Sequence, residues 1–154
     1  MAEKDGALKL IPFESFEIGQ VQTFGAYEVT EAEVIEFASK YDPQFFHLDA
    51  EAAKTSLFGG LCASGWHTCA MTMAMLVENM KGKGRSLGSP GIDKLKWLRP
   101  VYPGDILSVR MEVTGLHPSQ SRPTIGIVTS TVTVSNQSAT PVMEFVSNGI
   151  FPRG

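Results

Sequence analysis

From Trp66 to Val77 the chain reads Trp-His-Thr-Cys-Ala-Met-Thr-Met-Ala-Met-Leu-Val, a run without one charged side chain. Set within Gly65 to Met80, it predicts a helix of about 24 Å. With no charge on any face, that helix is expected to be surrounded by protein, since a surface helix shows a single apolar stripe. It is too short to cross a membrane: the apolar stretch around Cys69 to Val77 is broken by Thr72 and falls well under the roughly 18–20 residues a span needs. Such a helix must be wrapped by the rest of the chain, and most of the rest reads as strand. After a glycine-rich stretch from Gly82 to Gly91, strand patterns cover Ile92 to Leu98, Ile106 to Gly115, Thr124 to Ser135 and Val142 to Phe151. The breakers between them are Pro103-Gly104-Asp105, His117 to Pro123 and Asn136 to Pro141. Long strands with tight connections imply an antiparallel meander. The expected architecture is α+β, a curved antiparallel sheet wrapped around a long central hydrophobic helix. Such a sheet has an edge to protect, and pairing edge to edge in a homodimer is a common solution.

Before the helix, Gln20 to Val29 mixes β-branched and aromatic residues and predicts a strand. It runs into Thr30-Glu-Ala-Glu33, where Thr30 caps a helix and Glu33 reaches back to it. Val34, Ile35, Phe37, Ala38 and Tyr41 follow at helical spacing, and the helix stops before Asp42-Pro43, because a residue preceding proline is pushed out of the α region. A second short helix is expected from Asp49, then a turn at Phe58-Gly59-Gly60. No segment repeats, so residues 13–154 are expected to form one domain, with 1–12 a flexible tail.

Composition narrows the function classes. The 13 Lys and Arg against 16 Asp and Glu give a net charge of −3, which offers no electrostatic attraction to nucleic acid or to an anionic membrane. The stretch Met1 to Lys9 has no apolar core of the kind a secretory signal needs, so a cytoplasmic location is expected. The two cysteines, Cys62 and Cys69, form no CxxC pair and belong to no Cys/His cluster; they read as small buried hydrophobes.

The segment Tyr41-Asp-Pro-Gln-Phe-Phe-His47-Leu-Asp49 gathers two carboxylates and an imidazole between helices, flanked by Phe45 and Phe46. Asp42 and His47, five apart across a proline turn, can point at one small volume and together hold and activate a water. The alternative is that Asp42 caps the following turn and His47 is a satisfied, half-buried side chain. Ser64-Gly65 stands at the start of the apolar helix, where unpaired N–H groups and the positive dipole end suit a developing oxyanion; Ser64 equally suits a plain N-cap. His67, on the helix, and His117, near a strand end, read as packing or surface histidines. Asp42, His47 and Asp49 lack further clustered ligands at a familiar metal spacing, and no metal is expected. The methionines at 71, 73, 75 and 80 read as adaptable packing, of a kind that also suits the wall of an acyl tunnel.

Phe37-Ala-Ser-Lys-Tyr-Asp42-Pro-Gln-Phe-Phe-His47-Leu-Asp resembles the hydratase motif of the MaoC-like family of hot-dog-fold proteins, whose best-known members are (R)-specific enoyl-CoA hydratases. The likeness continues through Phe58-Gly-Gly-Leu-Cys-Ala-Ser-Gly65 and Leu98-Arg-Pro-Val-Tyr-Pro-Gly-Asp105. The resemblance implies a hot-dog fold, a homodimer, and a catalytic pair at Asp42 and His47 that adds water to C3 of a trans-2-enoyl-CoA, or removes it from the 3-hydroxyacyl thioester. It implies that the thioester oxygen is held at Gly65, beside Ser64, and that no cofactor is used apart from the CoA carried by the substrate. Gln44, Phe45, Phe58, Gly60, Trp66 and Met73 are the expected pocket residues. The chain departs from the motif where Asn-Pro becomes Gln44-Phe45, where the His before the helix glycine becomes Ser64, and where a helical serine becomes Met73. A thioesterase on the same fold, or a non-catalytic acyl-CoA-binding subunit, are the alternatives; the intact Asp42 and His47 spacing favours the hydratase. Lys81, Lys83, Arg85, Lys94 and Lys96 are candidate contacts for the CoA phosphates, or simply solvated charge.

Overall fold

A computed structural model describes residues 9–154. Strand β1 (Val21–Glu28) leads into helix α1 (Glu31–Tyr41), followed by two single-turn helices, α2 (Phe45–Leu48) and α3 (Ala50–Ala53), and then the long helix α4 (Gly65–Met80). Strands β2 (Gly88–Trp97), β3 (Ile106–Pro118), β4 (Ile125–Ser135) and β5 (Pro141–Pro152) complete the chain. Every neighbouring pair is antiparallel, in the order β1-β3-β4-β5-β2. The β3-β4-β5 meander expected from the breakers is present, and β1 and β2 close its two sides.

The local signals act largely as expected. Thr30 caps α1 by accepting from the Glu33 N–H at 3.2 Å. The Glu33 carboxylate does not complete the box, because the Tyr27 hydroxyl and the His67 ring claim it. Tyr41 ends α1 ahead of Asp42-Pro43, and Asp42 takes φ −152° and ψ 68°. Asp49 caps α3, accepting from the Glu51 and Ala52 N–H groups at 3.0 and 3.1 Å, which removes it from the chemistry. The turn α2 has no periodicity to announce it, being only four residues long. Strand β2 begins at Gly88, inside the expected loop, because its start is fixed by pairing with β5 rather than by its own side chains.

The inner face of the sheet, including Val109, Val132, Val134, Met143 and Phe145, packs with Met71 and Met75 of α4 in one core. Gly25, at φ +89°, lets β1 lie against Met75; a Cβ there would meet the methionine side chain. A second cluster joins Phe13 and Phe151 to Val113 and Val128.

Two expectations need correction. Helix α4 is enclosed on one side only: Met71 and Thr72 are buried, while Trp66, Met73 and Val77 are 59%, 57% and 51% exposed. Absence of charge shows that a face avoids ionic groups, not which surface covers it. Residues 9–11 of the expected flexible tail are tied down, since Ile11 donates to Arg85 and Arg85 to Lys9 through the backbone at 3.0 and 2.9 Å. The remainder of that tail, 1–8, lies outside the described residues. Among the described residues no helix is long and apolar enough to cross a membrane.

Candidate active site

Two helix ends and one loop assemble the site. Proline 43 stops α1 and leaves Asp42 at its C-terminal end, with the turn α2 directly after it. That turn carries His47 inward to 5% exposure. The loop 58–64 passes beneath, bound by backbone on both sides: Cys62 donates to the Phe46 carbonyl at 3.1 Å and Ala63 to that of Val101 at 2.8 Å. The Tyr102 hydroxyl adds a bond to the Phe58 carbonyl at 2.7 Å.

His47 Nδ1 lies 2.6 Å from the Cys62 carbonyl oxygen. A carbonyl only accepts, so Nδ1 holds the proton and donates, and in the neutral ring Nε2 is left with a lone pair. That lone pair is 3.4 Å from Asp42 Oδ2. The carboxylate itself is bracketed: Gln44 Nε2 donates to Oδ1 at 2.7 Å, and the Ser64 hydroxyl donates to Oδ2 at 2.7 Å. Burial pushes the Asp42 carboxyl up, but the hydrogen bonds from Ser64 and Gln44, joined by the pull of the His47 ring whenever it is protonated, outweigh it and hold the group below its ordinary value. Two acceptors, a carboxylate oxygen and an imidazole nitrogen, therefore face one point. A water there can donate to both.

Gly65 opens α4 beside this pair. The N–H groups of Gly65, Trp66 and His67 meet no acceptor among the described residues. The indole of Trp97 lies close against Gly65, so a Cβ at 65 would run into the ring. Trp97 packs edge-on with Trp66 at 5.2 Å between centroids. Nothing in the sequence singled out Trp97, because its contact with Gly65 depends on the register of β2.

The other expected site residues fall into two groups. Phe45, Phe46 and Phe58 form edge-on pairs next to His47, and Gly60 lies in the turn that follows. Met73 stands apart, about 12 Å further along the helix. It lines a separate cavity of about 620 Å3 with Leu76, Val77, Met111 and Phe151, and Lys81 and Arg85 lie at that cavity as well. Cys62 precedes α4 and Cys69 is on it, and both are free. Burial, with the Asp42 charge second, pushes the Cys62 thiol up to about 11, so it stays a neutral thiol.

A second histidine–carboxylate pair lies on another side of α4. His67, 3% exposed, has Nε2 at 3.3 Å from Glu33 Oε1, and its ring stacks on Phe37 at 4.6 Å. Its Nδ1 is buried without a partner. Tyr27, Lys40 and Tyr41 share the adjoining cavity of about 340 Å3. His117 is exposed on β3. No group of three or more His, Cys, Asp or Glu suited to a metal occurs among the described residues.

Known proteins share this fold. A crystal structure of a MaoC-like dehydratase from Rhodospirillum rubrum superposes with a TM-score of 0.81 at 39% identity, covering 92% of this chain and 96% of that one. The (R)-hydratase PhaJ1 of Pseudomonas aeruginosa, in unliganded form, matches with a TM-score of 0.72 at 26% identity, over 95% of this chain and 88% of that one. A 3-hydroxybutyryl-CoA dehydratase of Methylorubrum extorquens is 30% identical over 116 residues, 75% of this chain and 71% of its own. The model of the MaoC like domain matches residues 14–137, a span that runs from ahead of β1 to just past β4 and contains Asp42, His47 and Gly65. An antiparallel sheet curved around one apolar helix, with an acid and a histidine at the start of that helix, thus places the chain in the MaoC-like family of hot-dog proteins.

Proposed function

We propose that the protein is a hydratase/dehydratase that adds water across the C2=C3 bond of a 2-enoyl-CoA, or removes it from the 3-hydroxyacyl-CoA. The observation that carries this reading is the contact of His47 Nδ1 with the Cys62 carbonyl: it gives Nδ1 the proton, and in the neutral ring Nε2 and Asp42 Oδ2 are then both acceptors. A water donating to both presents its oxygen lone pair to C3. As the C3–O bond forms, the pair takes up the water's proton and the alkene electrons move onto the thioester oxygen. The Gly65 N–H, at the start of α4, stabilises that negative charge without having to reorganise. The enolate then collapses, C2 takes a proton from the pair, and the site returns to its starting charge. No cofactor enters the balance; CoA serves only as the handle of the substrate. The dehydratase and (R)-hydratase among the similar proteins support this hydro-lyase reading.

The remaining expectations belong to the same proposal. Gln44, Phe45, Phe58, Gly60 and Trp66 form the mouth around the reacting carbons, while Met73 serves the larger cavity. The outer edge of β2, which no described strand pairs, and the open apolar face of α4, with Trp66, Met73 and Val77, are the surfaces a homodimer would cover. Residues 13–154 act as one domain, in the cytoplasm, with neither nucleic acid nor membrane as partner.

Loss of the conjugated enoyl absorbance, followed on short, long, branched and carboxylated trans-2-enoyl-CoAs, tests the reading. Turnover by the native chain and none by Asp42→Asn is the expected result. Release of free CoA thiol in place of hydration would make the protein a thioesterase, and binding without either signal would make it an acyl-CoA-binding subunit.

A further inference from the structure

Helices α1 and α3 begin with side-chain caps, Thr30 on the Glu33 N–H and Asp49 on the Glu51 and Ala52 N–H groups. The two helices that begin at the site do not. Gln44 precedes α2 and Ser64 precedes α4, and neither side chain caps its helix. Both donate to Asp42 instead, at 2.7 Å each. For glutamine this is unremarkable chemistry, but serine is among the best N-caps. The Ser64 carbonyl performs its usual duty, accepting from the Thr68 N–H at 3.0 Å, so the backbone is correctly set for a cap that the hydroxyl does not make. The Ser64 side chain is fully buried, at 0% exposure, and Asp42, twenty-two positions away, is the partner of its Oγ.

We propose that Ser64 is a positioning residue of the hydration site, whose hydroxyl, by donating to Asp42 Oδ2 instead of capping α4, fixes the carboxylate toward His47. If the hydroxyl turned to cap the helix, accepting from the Trp66 or His67 N–H, it would release Oδ2. The same bond supports the charge of Asp42, because burial opposes that charge and the Ser64 hydroxyl leads the groups that offset it. The inference rests on the proposed hydration, but the Ser64–Asp42 bond is testable without turnover.

The experiment follows the Asp42 carboxyl by 13C NMR across a pH titration, assigned by its loss in Asp42→Asn, in the native chain and in Ser64→Ala, Ser64→Thr and Ser64→Cys. Ser64→Cys is nearly isosteric and only a weak donor, so it carries the test if the alanine variant does not fold. The expected result is a titration midpoint raised by about one pH unit in Ser64→Ala or Ser64→Cys and returned toward the native value by Ser64→Thr. On an accepted enoyl-CoA, kcat falls by about tenfold to a hundredfold in the same variants and the acid limb of the pH profile moves up with the midpoint. A folded Ser64→Ala or Ser64→Cys with an unmoved Asp42 midpoint and an unmoved acid limb overturns the assignment. A native chain that hydrates none of the enoyl-CoAs, while the midpoint still shifts in these variants, overturns the hydratase reading and leaves the Ser64–Asp42 coupling standing.

Discussion

Two buried histidines face carboxylates at nearly equal distances, His47 to Asp42 at 3.4 Å and His67 to Glu33 at 3.3 Å, yet the pairs are opposites. At His47 the second ring nitrogen is satisfied by a carbonyl, so the first meets its carboxylate as an acceptor. At His67 the second nitrogen has no partner, so the first is the one that carries the proton, and it donates to Glu33. The Glu33 pair is complete as it stands: Tyr27 and His67 both donate to one carboxylate, and the contact joins β1, α1 and α4. The Asp42 pair is two acceptors awaiting a donor. A short distance between histidine and acid therefore says little until the far nitrogen is accounted for.

Variants can be chosen to break this contrast. Asp42→Asn or His47→Gln should lower kcat by about 10²–10⁴-fold, the usual worth of a general acid–base group, with little change in melting temperature. Parallel rate and thermal-melt measurements check this, and a large loss of stability would place the Asp42 pair with the structural one. Gly65→Ala drives a methyl into the Trp97 ring; activity should fall by about 10²–10³-fold, the typical cost of disturbing an oxyanion donor, and Gly65→Ala combined with Trp97→Ala should recover part of it. His67→Ala should reverse the pattern of Asp42→Asn. It loses its packing on Phe37 and one bond to Glu33, for about 2–3 kcal/mol by denaturant melts, while turnover stays within a few-fold of native.

The smallest effect is in pH. Burial, only partly opposed by Glu33, holds the His67 ring below its ordinary 6.5. The unfolded chain then binds the extra proton first, so stability is full above about pH 6.5 and declines as pH falls from there toward the lowered folded value. Melting temperatures between pH 7 and 5 should show that slope, and His67→Gln should flatten it.

Much of this was legible in the residues. Asp42-Pro43 set the end of α1, Gly65 the start of α4, and the breakers the meander, because each acts on the backbone within a few positions. The spacing of Asp42 and His47 brought the two side chains within reach of each other for a similar reason. What could not be read depends on contacts distant in sequence: Glu33 reaching Tyr27 and His67, Trp97 lying on Gly65, and Ser64 turning from its helix to Asp42. The open face of α4 was hidden because its residue types are those of a core.

The loop 58–64 is held from two sides by backbone bonds to Phe46 and Val101, with Tyr102 as a third tie. A floor fastened in this way behaves as a fixed die and not as a jaw. On the proposed reading, discrimination among ligands then falls to the exposed aromatic rings of Phe45 and Trp66, which can be recut by substitution while Asp42 and His47 below keep their places.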